Sequence, residues 1–349
     1  MIKKSFEELS LNITEQEYRD LPYLSYSVLA KYEKGGFSSI PHLYDKQESE
    51  ALVFGSMVDT IITEGFDKFK DKFIVAEFKI PSETLVAITK NLLNKTTEEH
   101  LNDIQPNIIL DTCNAFEYCM RMSDEVRVRK VREGCSEYFD GLRACEGKII
   151  VNEKVYQEVL ATVGALKNSP QSAKYLQYTE EGADVEFLYQ KKFRDTIDGL
   201  EVKCMTDLLI INHGKKLVLP IDLKTSSLPE YEFPKKYLEN RYDIQSRLYC
   251  RILKDLMGKD EYFKDFSLGN FRFLVVNKDS RTPLLFTDSK SHVNDEDIKL
   301  HFPSGYIKIL RDPITIGKEL QEYINNDAKV PNNIDINNPI DIYKQLLNE

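Results

Sequence analysis

The chain has 349 residues, 42% hydrophobic and 30% charged, a balance that excludes fibrous and disordered classes and fits one large decorated domain or two packed ones. Its formal net charge of −10 argues against binding polyanions through the bulk surface, while leaving room for a local basic track. The start, Met1-Ile2-Lys3-Lys4-Ser5-Phe6-Glu7-Glu8, has no signal-peptide apolar core, and no run approaches the length that spans a bilayer, so a cytoplasmic protein is expected. The six cysteines (Cys113, Cys119, Cys135, Cys145, Cys204 and Cys250) form no C-x-x-C pair, which points to buried free thiols in a reducing compartment and away from zinc.

Residues 1–45 are polar and aromatic. Ser25 to Tyr32 predicts a short capped helix, ended by Gly35-Gly36. In residues 51–62, Val53, Met57, Val58, Ile61 and Ile62 recur at helical spacing, and Asp59 is the one carboxylate in that apolar helix. By itself such an Asp is either a helix-edge residue facing solvent or a functional group, because burying it unpaired is costly. Residues 80–145 are mostly helical by pattern and carry the run Arg127-Val128-Arg129-Lys130-Val131-Arg132. That run is either a solvated helix face or a phosphate-contacting strip. A strongly amphipathic helix follows, with Val155, Tyr156, Val159, Leu160, Val163 and Leu166, closed by Asn168-Ser169-Pro170.

Ala183 to Tyr189 alternates with period two and predicts a strand carrying Glu186. Leu208-Leu209-Ile210-Ile211 and Leu217-Val218-Leu219 flank Asn212-His213-Gly214-Lys215, a pattern that predicts a β-hairpin. Antiparallel pairing then brings Asp207 and Asp222 to the same end of the hairpin, and Lys224 projects from the same face as Asp222. Two gathered carboxylates repel unless a cation sits between them, and hard oxygen ligands suit Mg²⁺ or Mn²⁺. A helix is predicted from about Pro234 to Leu256. Its Ile244, Leu248, Ile252 and Leu256 face the core, with Gln245 and Tyr249 one turn apart on the adjacent face. Phe271 to Val276 predicts a further strand, and the tail beyond Asp327 reads as loop followed by a short terminal helix.

The series Glu186, Asp207, Asp222-x-Lys224-Thr225 and Gln245-x-x-x-Tyr249 resembles the PD-(D/E)XK nuclease superfamily. More narrowly it is similar to the RecB/RecE-like branch, which includes the exodeoxyribonuclease VIII-like enzymes of phages and prophages. The likeness reaches back to Leu24-Ser25-Tyr26-Ser27 and Gly55-Ser56-Met57-Val58-Asp59, which look like the branch's L-S-x-S and G-x-x-x-H elements. Thr206 stands where the superfamily's proline would be, and Asp59 where the branch usually has a metal-ligating His.

The resemblance implies an α/β (α+β) fold with a restriction-endonuclease-like core, a central mixed sheet flanked by helices and a helical N-terminal elaboration. It divides the chain into a helical region 1–150 contributing Asp59, a nuclease core 151–325 and a tail 326–349, together one compact unit. It implies Mg²⁺ or Mn²⁺ held by Asp59, Asp207 and Asp222, with Lys224 positioning or helping to deprotonate the attacking water and Glu186 as an added metal-side carboxylate. Gln245 and Tyr249 would hold the nucleic-acid backbone or orient a catalytic group. Lys203, Lys215, Lys216, Lys235, Lys236 and Arg241 lie near the site in sequence and are candidates for phosphate contact. No cysteine follows Cys250, so no iron–sulfur cluster is expected. The activity expected is exonucleolytic hydrolysis of linear double-stranded DNA in phage-type recombination, beside a single-strand annealing protein, by a homo-oligomeric ring of three or four subunits. The alternatives are an endonuclease or structure-specific nuclease on the same fold, and a non-catalytic nucleic-acid-binding or assembly protein, which the Asp59 substitution favours.

Overall fold

The computed structural model describes residues 3–45, 49–76, 78–145, 147–176 and 184–326. Apart from Asn326, the tail 326–349 lies outside these residues, as does Ala183 of the predicted strand. The chain divides into two units, Met1–Ser49 with Leu166–Glu349 and Glu50–Ala165, so the first 49 residues group with the sheet-bearing segment.

The sheet-bearing unit is mixed α/β. The strands of its larger sheet are β1 (Val185–Ile197), β2 (Leu200–Asn212), β3 (Leu217–Ser226), β4 (Ser267–Leu268), β5 (Arg272–Asn277) and β6 (Leu284–Thr287), and a separate antiparallel pair joins Ile298–His301 to Ile307–Leu310. The spatial order is β1-β2-β3-β5-β6, with β4 paired to β3. β2 runs antiparallel to both β1 and β3, β5 lies parallel to β3, and β6 is antiparallel to β5. The flanking helices are α1 (Glu15–Asp20), α2 (Tyr26–Gly35), α3 (Phe233–Glu239), α4 (Tyr242–Lys259) and α5 (Pro313–Asn325). The predicted succession of helix, three strands, helix and strand is observed, with the first helix at Glu153–Asn168.

The core lies between the sheet and α4, where Phe193, Val202, Cys204, Leu209, Ile211, Ile244, Leu248, Ile252, Phe271 and Phe273 are buried. Burying each large apolar side chain contributes roughly 1.5–3 kcal/mol. The single helix expected from Pro234 to Leu256 is two, α3 and α4. Between them Arg241 takes the left-handed conformation (φ 55°), with its guanidinium bound to Glu33 and Asp243.

The unit Glu50–Ala165 is mostly helical. It includes the helices Glu50–Thr63, Glu83–Lys95, Pro106–Ala115 and Asp124–Ala144, and a parallel strand pair, Phe73–Ala76 with Ile149–Asn152, that periodicity did not suggest. Its core gathers Ile88, Leu92, Ile109, Val131 and Phe139. The basic run divides, with Arg129 and Lys130 exposed and Arg127 and Arg132 holding the unit's own backbone. Arg127 is 4% exposed and donates to Tyr118 O and Asn114 Oδ1, while Arg132 donates to Ile104 O. All six cysteines are free, five of them buried. Burial pushes the Cys250 thiol up to about 12, which makes it inert at neutral pH. Among the described residues no helix is long and apolar enough to cross a membrane.

Candidate active site

The β2–β3 ladder ends at the pair Leu208–Ile221. Beyond it the strands part: β3 continues beside β5 alone, from Asp222–Phe273 to Ser226–Asn277. Leu24 takes the vacated place along β2, accepting from Lys203 N at 2.9 Å and donating to Glu201 O at 3.0 Å. Asp207 and Asp222 are the first residues past the last rung, so the hairpin register sets them opposite each other at the mouth of this split. The Asp207 carboxylate spans the gap, its Oδ2 accepting from Leu223 N at 2.8 Å in place of a ladder hydrogen bond.

Asp222 is 3% exposed. Its Oδ1 accepts from Gln245 Nε2 at 2.6 Å, and its Oδ2 lies 2.7 Å from the Lys224 ammonium. That ion pair lies off hydrogen-bonding alignment, and Oδ2 accepts no directed hydrogen bond. Burial opposes the charge on Lys224, but Asp222 first, then Tyr242, Asp207 and Tyr26, outweigh it and hold the group well above the usual lysine range. Lys224 is thus an ammonium in this pairing with Asp222.

Four of the predicted residues thus meet: Asp207, Asp222, Lys224 and Gln245. Tyr249 is 8% exposed and packs edge-on to Phe271, and burial, then Tyr18 and Cys204, keep its phenol protonated. The Asp222 and Asp207 carboxylates act on the same phenol, so Tyr249 lies beside the acidic pair as a buried side chain.

Glu186 is not brought to this point, which corrects its expected metal-side role. It pairs with Ile211, four residues along β2 from Asp207 and so roughly 13 Å away. Its carboxylate accepts from Ser5 Oγ and from Phe6 N (3.2 Å), and lies 3.4 Å from His213 Nε2, fastening the N-terminal segment instead. Asp59 lies in the other unit, half-buried on the helix Glu50–Thr63.

Two phosphate-binding candidates are spent internally. Lys203 is 6% exposed and donates to the carbonyls of Tyr18, Arg19 and Leu21, closing the end of α1. Arg241 is equally buried between Glu33 (2.7 Å) and Asp243 (2.9 Å). Lys235 and Lys236 stay at the surface, each 3.2 Å from a glutamate near it in sequence, and Lys215 and Lys216 are exposed.

Sequence reasoning missed Tyr242. Its ring centroid lies 4.8 Å from Lys224 Nζ, and its one sequence signal is its place one turn before Gln245 on α4.

No protein-family model matches the chain, and no curated protein matches it. Among solved structures, a chain from Eubacterium rectale provisionally described as an exonuclease aligns over 96% of this chain and 98% of its own, with a TM-score of 0.46 and 12% identity.

Among the described residues no three His, Cys, Asp or Glu side chains gather into an ion cage. The donor set at the split still fits a small hard cation. Mg²⁺ commonly binds through one or two carboxylates and completes its shell with water and substrate phosphate. Asp222 Oδ2 offers the undirected lone pairs such an ion needs.

Proposed function

We propose that this chain is a divalent-metal-dependent deoxyribonuclease acting on the ends of linear double-stranded DNA. The observation that carries the reading is the meeting of Asp207, Asp222, Lys224 and Gln245 where β2 and β3 part. The preference for ends rests on the likeness of Asp222-x-Lys224-Thr225 and Gln245-x-x-x-Tyr249 to the RecB/RecE-like branch.

Asp207 and Asp222 would hold Mg²⁺ or Mn²⁺. When bound, the ion would supply Lewis-acid polarisation of a phosphoryl oxygen and acidify a water toward neutral pH. The chain's own residues supply order. Leu223 N fixes Asp207 Oδ2, and the Gln245 amide occupies Asp222 Oδ1, leaving the buried Oδ2 beside the Lys224 ammonium with no directed hydrogen bond. Lys224, held as an ammonium, would donate to the charge that develops on the phosphorane, a contribution of ~10²- to 10³-fold in rate. Surface lysines such as Lys235 and Lys236 would add salt-sensitive backbone contacts.

Digestion of linear and covalently closed circular duplex across a Mg²⁺ series tests the reading. Mg²⁺-dependent nucleotide release from the linear form alone is expected. Cleavage of the closed circle would convert the assignment to an endonuclease, and no metal-dependent cleavage of either form would overturn it.

A further inference from the structure

Lys224 carries four rotatable side-chain bonds and needs a fixed position to act on a reacting phosphate. Its ion pair with Asp222 is a poor anchor for that purpose. A cation bound at the two carboxylates would repel the ammonium and compete with it for Asp222 Oδ2. The second neighbour of Lys224 Nζ is free of this conflict. The Tyr242 ring, its centroid 4.8 Å away, attracts a cation through its π face and carries no lone pairs that a metal at the carboxylates would take.

The ring is itself immobilised. It stacks on Phe233 (5.9 Å, 20°) and on Phe273 (5.7 Å, 30°), with Tyr26 tilted against it at 6.1 Å. Its hydroxyl accepts from Asn240 Nδ2 at 3.2 Å, and the Asn240 carbonyl accepts from Tyr26 at 2.8 Å. Tyr242 and Gln245 sit one turn apart on α4, while Lys224 and Asp222 sit two apart on β3. One helix thus presents two holders to one strand: the amide for the carboxylate and the ring for the ammonium.

We propose that Tyr242 is the positioning residue of the site, its ring face retaining the Lys224 ammonium while a cation occupies the carboxylates. The catalytic consequence rests on the nuclease reading above; the contact does not.

The test separates the two. In protein carrying ¹³C at the lysine ε position, the Lys224 methylene, assigned with Lys224→Met, is expected upfield of the other lysines through the ring current of Tyr242. It is expected to stay there at saturating Mg²⁺ and in Tyr242→Phe, and to move to the common position in Tyr242→Leu. In digestion of linear duplex, Tyr242→Leu is expected to lower kcat about 10-fold with KM for DNA within about 2-fold, and Tyr242→Phe to keep kcat within about 3-fold. A Lys224 signal without the upfield shift, or one that loses it on adding Mg²⁺, overturns the proposal, as does equal loss of kcat in both variants. An upfield signal in a wild-type protein that cleaves no DNA with any divalent ion upholds the contact and removes the nuclease reading instead.

Discussion

Gln245 Nε2 donates to Asp222 Oδ1 at 2.6 Å, and both side chains are buried, at 4% and 3% exposure. The bond ties the start of α4 to the strand that carries Asp222, so the Gln245 amide orients that carboxylate. Gln245→Ala is expected to leave Asp222 Oδ1 unsatisfied and to lower unfolding free energy by about 1–3 kcal/mol, measured in urea. Gln245→Glu is expected to cost more in metal-free buffer, since it sets a third carboxylate against Asp222.

Removing the other partner of Asp222 has a metal-dependent outcome. Lys224→Met leaves a buried carboxylate without its cation and is expected to cost roughly 3 kcal/mol in EDTA. Part of that loss should return on adding Mg²⁺, which stabilises by binding only the folded chain. Tm in EDTA and in a Mg²⁺ series checks both statements, and the double variant Asp222→Asn/Lys224→Met should lose less than Lys224→Met alone.

Buried and surface cations should separate cleanly. Arg241→Met strands Asp243 in the interior, leaves Glu33 with its Arg311 pair alone, and is expected to cost roughly 3–5 kcal/mol in stability. Lys235→Ala with Lys236→Ala should change stability by under about 0.5 kcal/mol. On DNA, each of these two lysines that touches a phosphate should reduce the slope of log affinity against log salt by about 1. Urea denaturation and fluorescence anisotropy of labelled duplex measure the two effects.

His213 supplies a pH dependence. Burial, aided by Lys3 and opposed by Glu186, lowers its pKa, and burial lowers that of His292 as well. The folded state therefore disfavours the protonated rings. The stability they contribute is present above the unfolded pKa of about 6.5 and is lost as pH falls through that value toward the depressed folded pKa. Unfolding free energy should decline between about pH 7 and pH 5.5, with a shallower slope in His213→Gln.

The acidic pair was legible because a short turn at Asn212 to Lys215 dictates antiparallel register, and register dictates which residues face each other past the last rung. Gln245 followed from helical spacing. Glu186 was misplaced although its position also had a local signal. Asp198-Gly199, both at positive φ (50° and 82°), makes the two-residue turn between β1 and β2, and counting back from it sets Glu186 opposite Ile211. The roles of Lys203, Arg241 and Tyr242 had no such signal. Each depends on partners brought near by tertiary packing: carbonyls of Tyr18 and Leu21, the Glu33 carboxylate, and the Lys224 ammonium. The break at Arg241 is of the same kind, a left-handed residue that a helical apolar pattern runs straight across.

The most direct measurement is release of end label from linear duplex with Mg²⁺ by wild type, Asp222→Asn and Lys224→Ala, with folding of each checked by circular dichroism. Metal-dependent release by wild type, reduced ~10²-fold or more in both folded variants, is the predicted result. Equal release by all three proteins would contradict the site.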